Sequence, residues 1–266
     1  MNGKGKVKAF LPFYLFTLLL FSTACSNISE DERLIYVKPA PVNRQVLIED
    51  FTGQRCVNCP NASDEIVRLQ QQYGAENIIA VAIHSGPLAF YTNNRFLGLR
   101  TETGDEYYDY WKVEYQPAGM VDRHEVVGFS SWGAMIHDEL QKTASVEIVI
   151  GADQENGGLK LTTTVKGIDG DTSGKLQLWI VEDNITAFQL MPDGTRNDEY
   201  VHQHVFRAAV NGTWGENLSV REGETVSRSH VMKLSDDWKT DNLSVVAFVY
   251  DQTGVRQVAR MKLMNS

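Results

Sequence analysis

Three things are scarce in this 266-residue chain: cysteine, positive charge and long apolar runs. There are three cysteines, of which two form a Cys-x-x-Cys pair. No second pair exists, and the six histidines fall into no matching motif. A structural zinc site needs about four such ligands, so zinc is a poor reading and no metal ligand is assigned. Lys and Arg number 25 against 34 Asp and Glu, a formal net charge of −9. That balance argues against nucleic acid or an anionic lipid surface as a partner. Beyond residue 21 no segment is apolar enough to span a bilayer. Internal repeats and low-complexity tracts are missing too, and the length fits one large domain or two ordinary ones.

What is present begins at the N-terminus. Lys4, Lys6 and Lys8 precede a thirteen-residue apolar stretch, Ala9–Phe21, and the small residues Ser-Thr-Ala lead to Cys25. Basic, apolar and small residues in that order are the pattern of an export signal. The segment resembles a bacterial lipoprotein signal, which implies removal of residues 1–24 and a lipid on Cys25. Ser22 departs from the large aliphatic residue usual at its place in that motif. Several acyl chains on one cysteine anchor firmly. Ser26 after the cysteine favours the outer membrane by analogy. The acidic Ser29–Glu32 reads either as a signal for the cell surface or as a solvated tether. Residues 25–43, closing on Lys-Pro-Ala-Pro-Val-Asn, read as a linker. Loss of the three signal lysines takes the net charge from −9 to −12.

The rest divides by texture near residue 144. Arg44–Gly53 is rich in apolar, β-prone residues and reads as a buried strand. Asn61–Gly74 places Ile66, Leu69 and Tyr73 at helical spacing, with Gly74 as the stop. Asn77–Gly86 is an almost continuous apolar run, the pattern of a central parallel strand covered on both faces. Together these predict a right-handed βαβ unit. Leu88–Val113 reads as an aromatic, charged helical excursion, and Ser130–Lys142 as an amphipathic helix carrying Trp132, Ile136 and Leu140. From Thr143 onward short, often alternating strands are separated by Gly- and Asp-rich turns, which predicts an antiparallel sandwich. Domain limits are therefore expected at 44–144 and 145–266. In the second half His202 and His204 are expected on one face of a strand, with no third ligand in reach of the pattern. Trp214 and Trp238 are expected in the sandwich core or rim.

The pair Cys56 and Cys59 leaves three readings open: zinc, a structural disulfide, and a redox dithiol. Each is the other's only disulfide partner once Cys25 carries lipid, and an exported protein meets an oxidising compartment. A disulfide closing so small a loop restricts the unfolded chain little. The redox reading has a specific context, because the pair sits where a strand turns into a helix. Helix N-terminal amides favour the thiolate of the first cysteine, Arg55 adds positive charge, and Pro60 is tolerated in the first turn. His84 ends the neighbouring parallel strand and should reach the same sheet edge, where it either tunes the thiolate or makes a local hydrogen bond.

The stretch VLIEDFTGQRCVNC resembles the strand and active-site turn of the thioredoxin superfamily. That resemblance implies Cys56 as nucleophile, Cys59 as resolving thiol, Asp50 as a buried proton-transfer carboxylate, and Pro117 as the cis-proline shaping a peptide groove. Arg55 replaces the usual tryptophan, and Val57-Asn58 is no known oxidant or reductant signature. The ordered segments EDFTGQRCVNCPN, AVAIHSG, YQPAGMVDR, HQHVFRAAVNGTWGE and LSVVAFVYD are similar to the Omp28-type outer-membrane lipoproteins of Gram-negative bacteria. This resemblance implies an α/β thioredoxin-like domain followed by an all-β immunoglobulin-like sandwich, held at the outer membrane, periplasmic or surface-facing. The expected function is thiol–disulfide exchange on exported proteins or with an envelope redox partner, with no cofactor. The alternative is a non-enzymatic surface binding or adhesion-type lipoprotein whose Cys-x-x-Cys is a structural disulfide.

Overall fold

The computed structural model describes residues 44–155 and 158–263. The expectations for the signal, for Cys25 and for the linker lie outside the described residues. The chain opens with β1 (Val46–Thr52), buried at every position. Helix α1 (Cys59–Tyr73) follows, with Pro60 in its first turn and Gly74 ending it at φ 96°. A positive φ of that kind is where glycine carries no Cβ penalty. The helix buries Ala62, Ile66 and Leu69, spaced by four and three residues as one apolar stripe requires. Strand β2 (Ile78–His84) then pairs parallel to β1, from Val46 opposite Ile78 to Thr52 opposite His84. Most of the aromatic stretch is irregular until α2 (Glu102–Tyr110), capped by the Thr101 hydroxyl, which accepts from the Gly104 amide. After a cis Gln116–Pro117 peptide, β3 (Ala118–Val121) pairs antiparallel to β1, and α3 (Trp132–Leu140) closes the first half.

Ten strands follow: β4 (Val146–Glu155), β5 (Gly158–Gly167), β6 (Thr172–Glu182), β7 (Ile185–Leu190), β8 (Arg196–His202), β9 (Val205–Ala209), β10 (Glu216–Val220), β11 (Thr225–Met232), β12 (Leu243–Asp251) and β13 (Gly254–Lys262). They do not assemble apart from the first half. One eight-stranded sheet runs β13-β12-β6-β9-β2-β1-β3, with β10 on the other part of β6. The junction is β9, antiparallel to β6 and bridged parallel to β2 where Ala82 meets Val205. A three-stranded sheet, β11-β5-β4, and a separate hairpin, β7-β8, complete the fold.

This overturns the expected α/β thioredoxin-like domain followed by an immunoglobulin-like sandwich. The chain is mostly β-sheet, and strands from both sides of residue 144 belong to one sheet. The physical reason lies in β6 and β12, which are buried on both faces. Leu176, Leu178, Ile180, Val245, Ala247 and Val249 meet Val146, Ile148, Leu161 and Val165 of the three-stranded sheet. The alternate residues Trp179, Val181, Val246 and Phe248 share a second core with Leu47, Phe51, Ile79, Val81 and Tyr107. The opposite face of β1 and β2, with Val46, Ile48, Ile78 and Ala80, is covered by α1 and α3.

Polar contacts bind the halves as well. Arg44 donates to the Asp122 carboxylate at 2.7 Å and to the Val255 carbonyl at 2.6 Å. The Gln45 amide donates to Gln257 Oε1 at 2.9 Å. Glu49 and Arg123 form a fully buried ion pair, with the Arg123 guanidinium 4.2 Å from the Tyr250 ring centroid. Burial pushes the Glu49 carboxyl up, while Arg123 pulls it back toward the charged form.

Candidate functional site

The turn between β1 and α1 is held from three sides. Gly53 has no room for a side chain: a Cβ there would lie 2.5 Å from the Leu88 carbonyl carbon. The Arg55 amide donates to that same Leu88 carbonyl at 2.9 Å, and the Cys56 amide to Gly53 at 2.9 Å. Cys56 and Cys59 are joined by a disulfide, and each residue is 2% exposed. Their cover is the β7–β8 hairpin. Gln189 Nε2 donates to the Cys56 carbonyl at 2.9 Å, and the Leu190 amide donates to the Gln54 carbonyl at 2.9 Å.

Gln54, fully buried, stitches the pieces together. Its Nε2 donates to Leu97 at 2.9 Å and to Phe188 at 3.2 Å, and its Oε1 accepts from the Leu99 amide at 3.0 Å. One side chain thus joins the Cys-x-x-Cys turn, the 86–101 loop and the hairpin. Neither Gln54 nor Gln189 is legible in sequence, since a buried glutamine has no periodic or spacing signature.

Strand alternation sets the remaining groups. Asp50 lies on the α1 face of β1, opposite Ala82, and His84 on the same face of β2, opposite Thr52. Asp50, Cys59, Ser63, His84, Tyr200 and His202 line one cavity of about 210 Å³. Both Asp50 carboxyl oxygens are buried with no hydrogen-bond partner among the described residues. Desolvation pushes its carboxyl up to about 7. His84 Nδ1 is likewise buried and unpartnered among the described residues. Burial holds His84 well below the usual imidazole range, and the nearby His202 and Arg207 lower it further. The two rings stand 5.1 Å apart, edge to face. Burial also lowers His202, to about 4.

The structure therefore brings Asp50, Cys59 and His84 to one cavity. Cys56 and Pro117 are not among the residues lining it. Pro117 is buried at the same sheet edge, where the Gln116 side chain donates to the Thr52 and Ser85 carbonyls. His202 and His204 do not share a strand face. The strand ends at His202, and His204 turns away at φ 58°, its amide donating to Asp183. Among the described residues no group of three His, Cys, Asp or Glu is arranged to hold a metal ion. Trp214 is a partly buried member of the aromatic group on α2, 5.2 Å from Tyr107 and 4.3 Å from Tyr110. Trp238 is partly buried against the core between β6, β12 and the three-stranded sheet.

Comparison with known proteins adds a family and a fold. A family profile described as outer membrane protein Omp28 matches residues 104–266. HBP35 of Porphyromonas gingivalis is similar in structure, with a TM-score of 0.66 at 16% identity, covering 85% of this chain and 77% of that one. This likeness is one of fold, and it extends across both sides of residue 144. A domain of the outer membrane lipoprotein Omp28 from Porphyromonas gingivalis aligns at 25% identity over 45% of this chain and 96% of that one, with a TM-score of 0.33. No curated protein matches the sequence.

Proposed function

The chain belongs to the outer membrane protein Omp28 family, and from that premise we propose that it is a non-enzymatic binding lipoprotein in which the Cys56–Cys59 disulfide is a structural clip. Its place is the outer membrane. In this reading residues 1–24 are the signal, Cys25 carries the lipid, and residues 25–43 are the tether.

The observation that carries the proposal is the cover over the disulfide. Exchange requires a thiolate to reach a sulfur, so its rate depends on access. Here both cysteines are 2% exposed, and the hairpin is bonded to the turn through Gln189 and Leu190. A clip in this position does more than close a small loop. It fixes the turn to which the hairpin and the 86–101 loop attach.

One observation favours thiol–disulfide exchange as a second reading, with exported proteins as substrates. The Asp50 carboxyl, raised to about 7, shares a cavity with Cys59 and is suited to holding or releasing a proton near neutral pH. A peptide-disulfide assay separates the two readings. The clip reading expects the reduced protein to reduce a fluorogenic peptide disulfide no faster than its Cys56→Ser, Cys59→Ser variant. Turnover that depends on both cysteines would replace the clip with exchange.

A further inference from the structure

Three arginines converge on one aromatic cluster beside the clipped turn. Phe90, Phe96 and Phe188 form the cluster, with ring centroids 5.4 to 6.1 Å apart. Arg55 lies 5.2 Å from the Phe90 ring and Arg95 5.1 Å from Phe96. Arg196 lies 4.8 Å from Phe96 and 5.2 Å from Phe188. The cluster draws on three separated segments: the Cys-x-x-Cys turn, the 86–101 loop and the hairpin. Gln54 and Gln189 bond these segments together, so the guanidiniums are positioned by the fold.

The placement works against simple electrostatics within the chain. Arg196 is paired with Asp198, but Arg55 and Arg95 have no carboxylate partner among the described residues. Bringing unpaired cations together raises their mutual repulsion, and the chain carries an excess of nine negative charges that could have been spent on them. Ring faces hold the Arg55 and Arg95 guanidiniums by cation–π attraction while leaving their N–H forks free for a carboxylate, whereas the Arg196 fork is held by Asp198. The same segments expose Val57 at 42%, Leu97 at 45% and Tyr91 at 47%. Cations interleaved with exposed apolar groups match a peptide of acidic and apolar residues better than a glycan or a phosphate, which would leave the apolar groups unused.

We propose that the junction of the Cys-x-x-Cys turn, the 86–101 loop and the β7–β8 hairpin is a docking surface for an acidic, apolar-containing segment of another protein, gripped by Arg55 and Arg95, with the Asp198-paired Arg196 beside them. The proposal takes the binding reading above as its premise and gives the clip a purpose, since the clipped turn carries Arg55.

The test titrates the mature protein with a labelled synthetic peptide of alternating glutamate and leucine, its lysine–leucine counterpart, and heparin. The expected result is salt-sensitive binding of the glutamate peptide alone. It should weaken roughly fivefold in the triple variant Arg55→Gln, Arg95→Gln, Arg196→Gln, chiefly from the two exposed charge pairs of Arg55 and Arg95. Arg221→Gln, an exposed arginine outside these three segments, should bind as wild type. All three triple-variant positions are exposed, so its thermal melt should match wild type and report an intact fold. Absent glutamate-peptide binding, or binding unchanged in the triple variant, overturns the surface. Tighter binding of heparin overturns the partner class in favour of an anionic polysaccharide. A disulfide that proves redox-active while the peptide still binds would overturn the clip and leave the surface standing.

Discussion

Asp50 is the residue whose state depends most on being covered. Its carboxyl ionises near 3.8 when solvated and near 7 in the fold, because the cavity desolvates it and offers no partner. The folded protein therefore holds a proton that the unfolded chain has released between those values. Stability must fall as pH rises from about 4 to about 7 on account of this group. Replacing Asp50 with Asn removes that dependence. The variant should be more stable than wild type at pH 7 and above, by up to roughly 4 kcal/mol. The two proteins should converge below pH 4. Thermal melts of both across pH 3.5 to 8 check this, and parallel curves would show that Asp50 is solvated or paired. His84 and His202 act in the opposite sense. Both are held below the usual 6.5, so they contribute stability that is lost as pH falls below about 6.5. Among these residues, His84 could be placed at the sheet edge from the parallel strand pattern, and Asp50 only through the resemblance of VLIEDFTGQRCVNC to a thioredoxin-type turn. The partners that close over them could not, because His202, Tyr200 and Gln189 arrive from a hairpin more than 100 residues later in the chain.

At the scale of elements, the hairpin decides what the disulfide can do. Among the described residues strands β7 and β8 pair only with each other, and they hold the Cys-x-x-Cys turn through a few hydrogen bonds. Removing the Gln189 side chain takes one of two donors from the Cys56 carbonyl, which keeps the Cys59 amide at 3.3 Å, a loss of about 1–1.5 kcal/mol for one hydrogen bond. If the disulfide is reached by local opening of the hairpin, Gln189→Ala should speed its reduction by a soluble phosphine roughly tenfold. An unchanged rate would mean that the sulfurs are reached by another route. The first strand, helix and second strand were legible because each has a clean pattern and a stop signal: a β-prone run ending at Gly53, a helical stripe ending at Gly74, an apolar run ending at Gly86. The 86–101 loop was not, because its aromatics pack against the hairpin instead of forming a face with a period of their own.

At the scale of the molecule, the unexpected feature is a shared sheet. KLQLWIVE and LSVVAFVY read as sandwich strands, yet their apolar residues run on without alternation, the mark of strands covered on both faces. That signal could be seen in the sequence, but the identity of the second covering layer could not, since nothing local in a strand names a partner so distant. The sheet has a consequence for fragments. Residues 44–144 alone would lose β9, β6 and β12 and expose Leu47, Phe51, Ile79 and Val81 to water. Expressed alone, that fragment should show no cooperative thermal transition and rapid proteolysis, whereas residues 44–263 should melt as one unit. A cooperatively folding 44–144 fragment would mean that the shared core is dispensable.

We propose Cys56–Cys59 as a clip within an outer-membrane binding protein. The most direct test is the reduction potential of the disulfide in the mature protein, equilibrated against dithiothreitol and glutathione buffers. The clip predicts a potential below about −300 mV, the range of structural disulfides. A value between roughly −120 and −270 mV, where exchange catalysts lie, would contradict it.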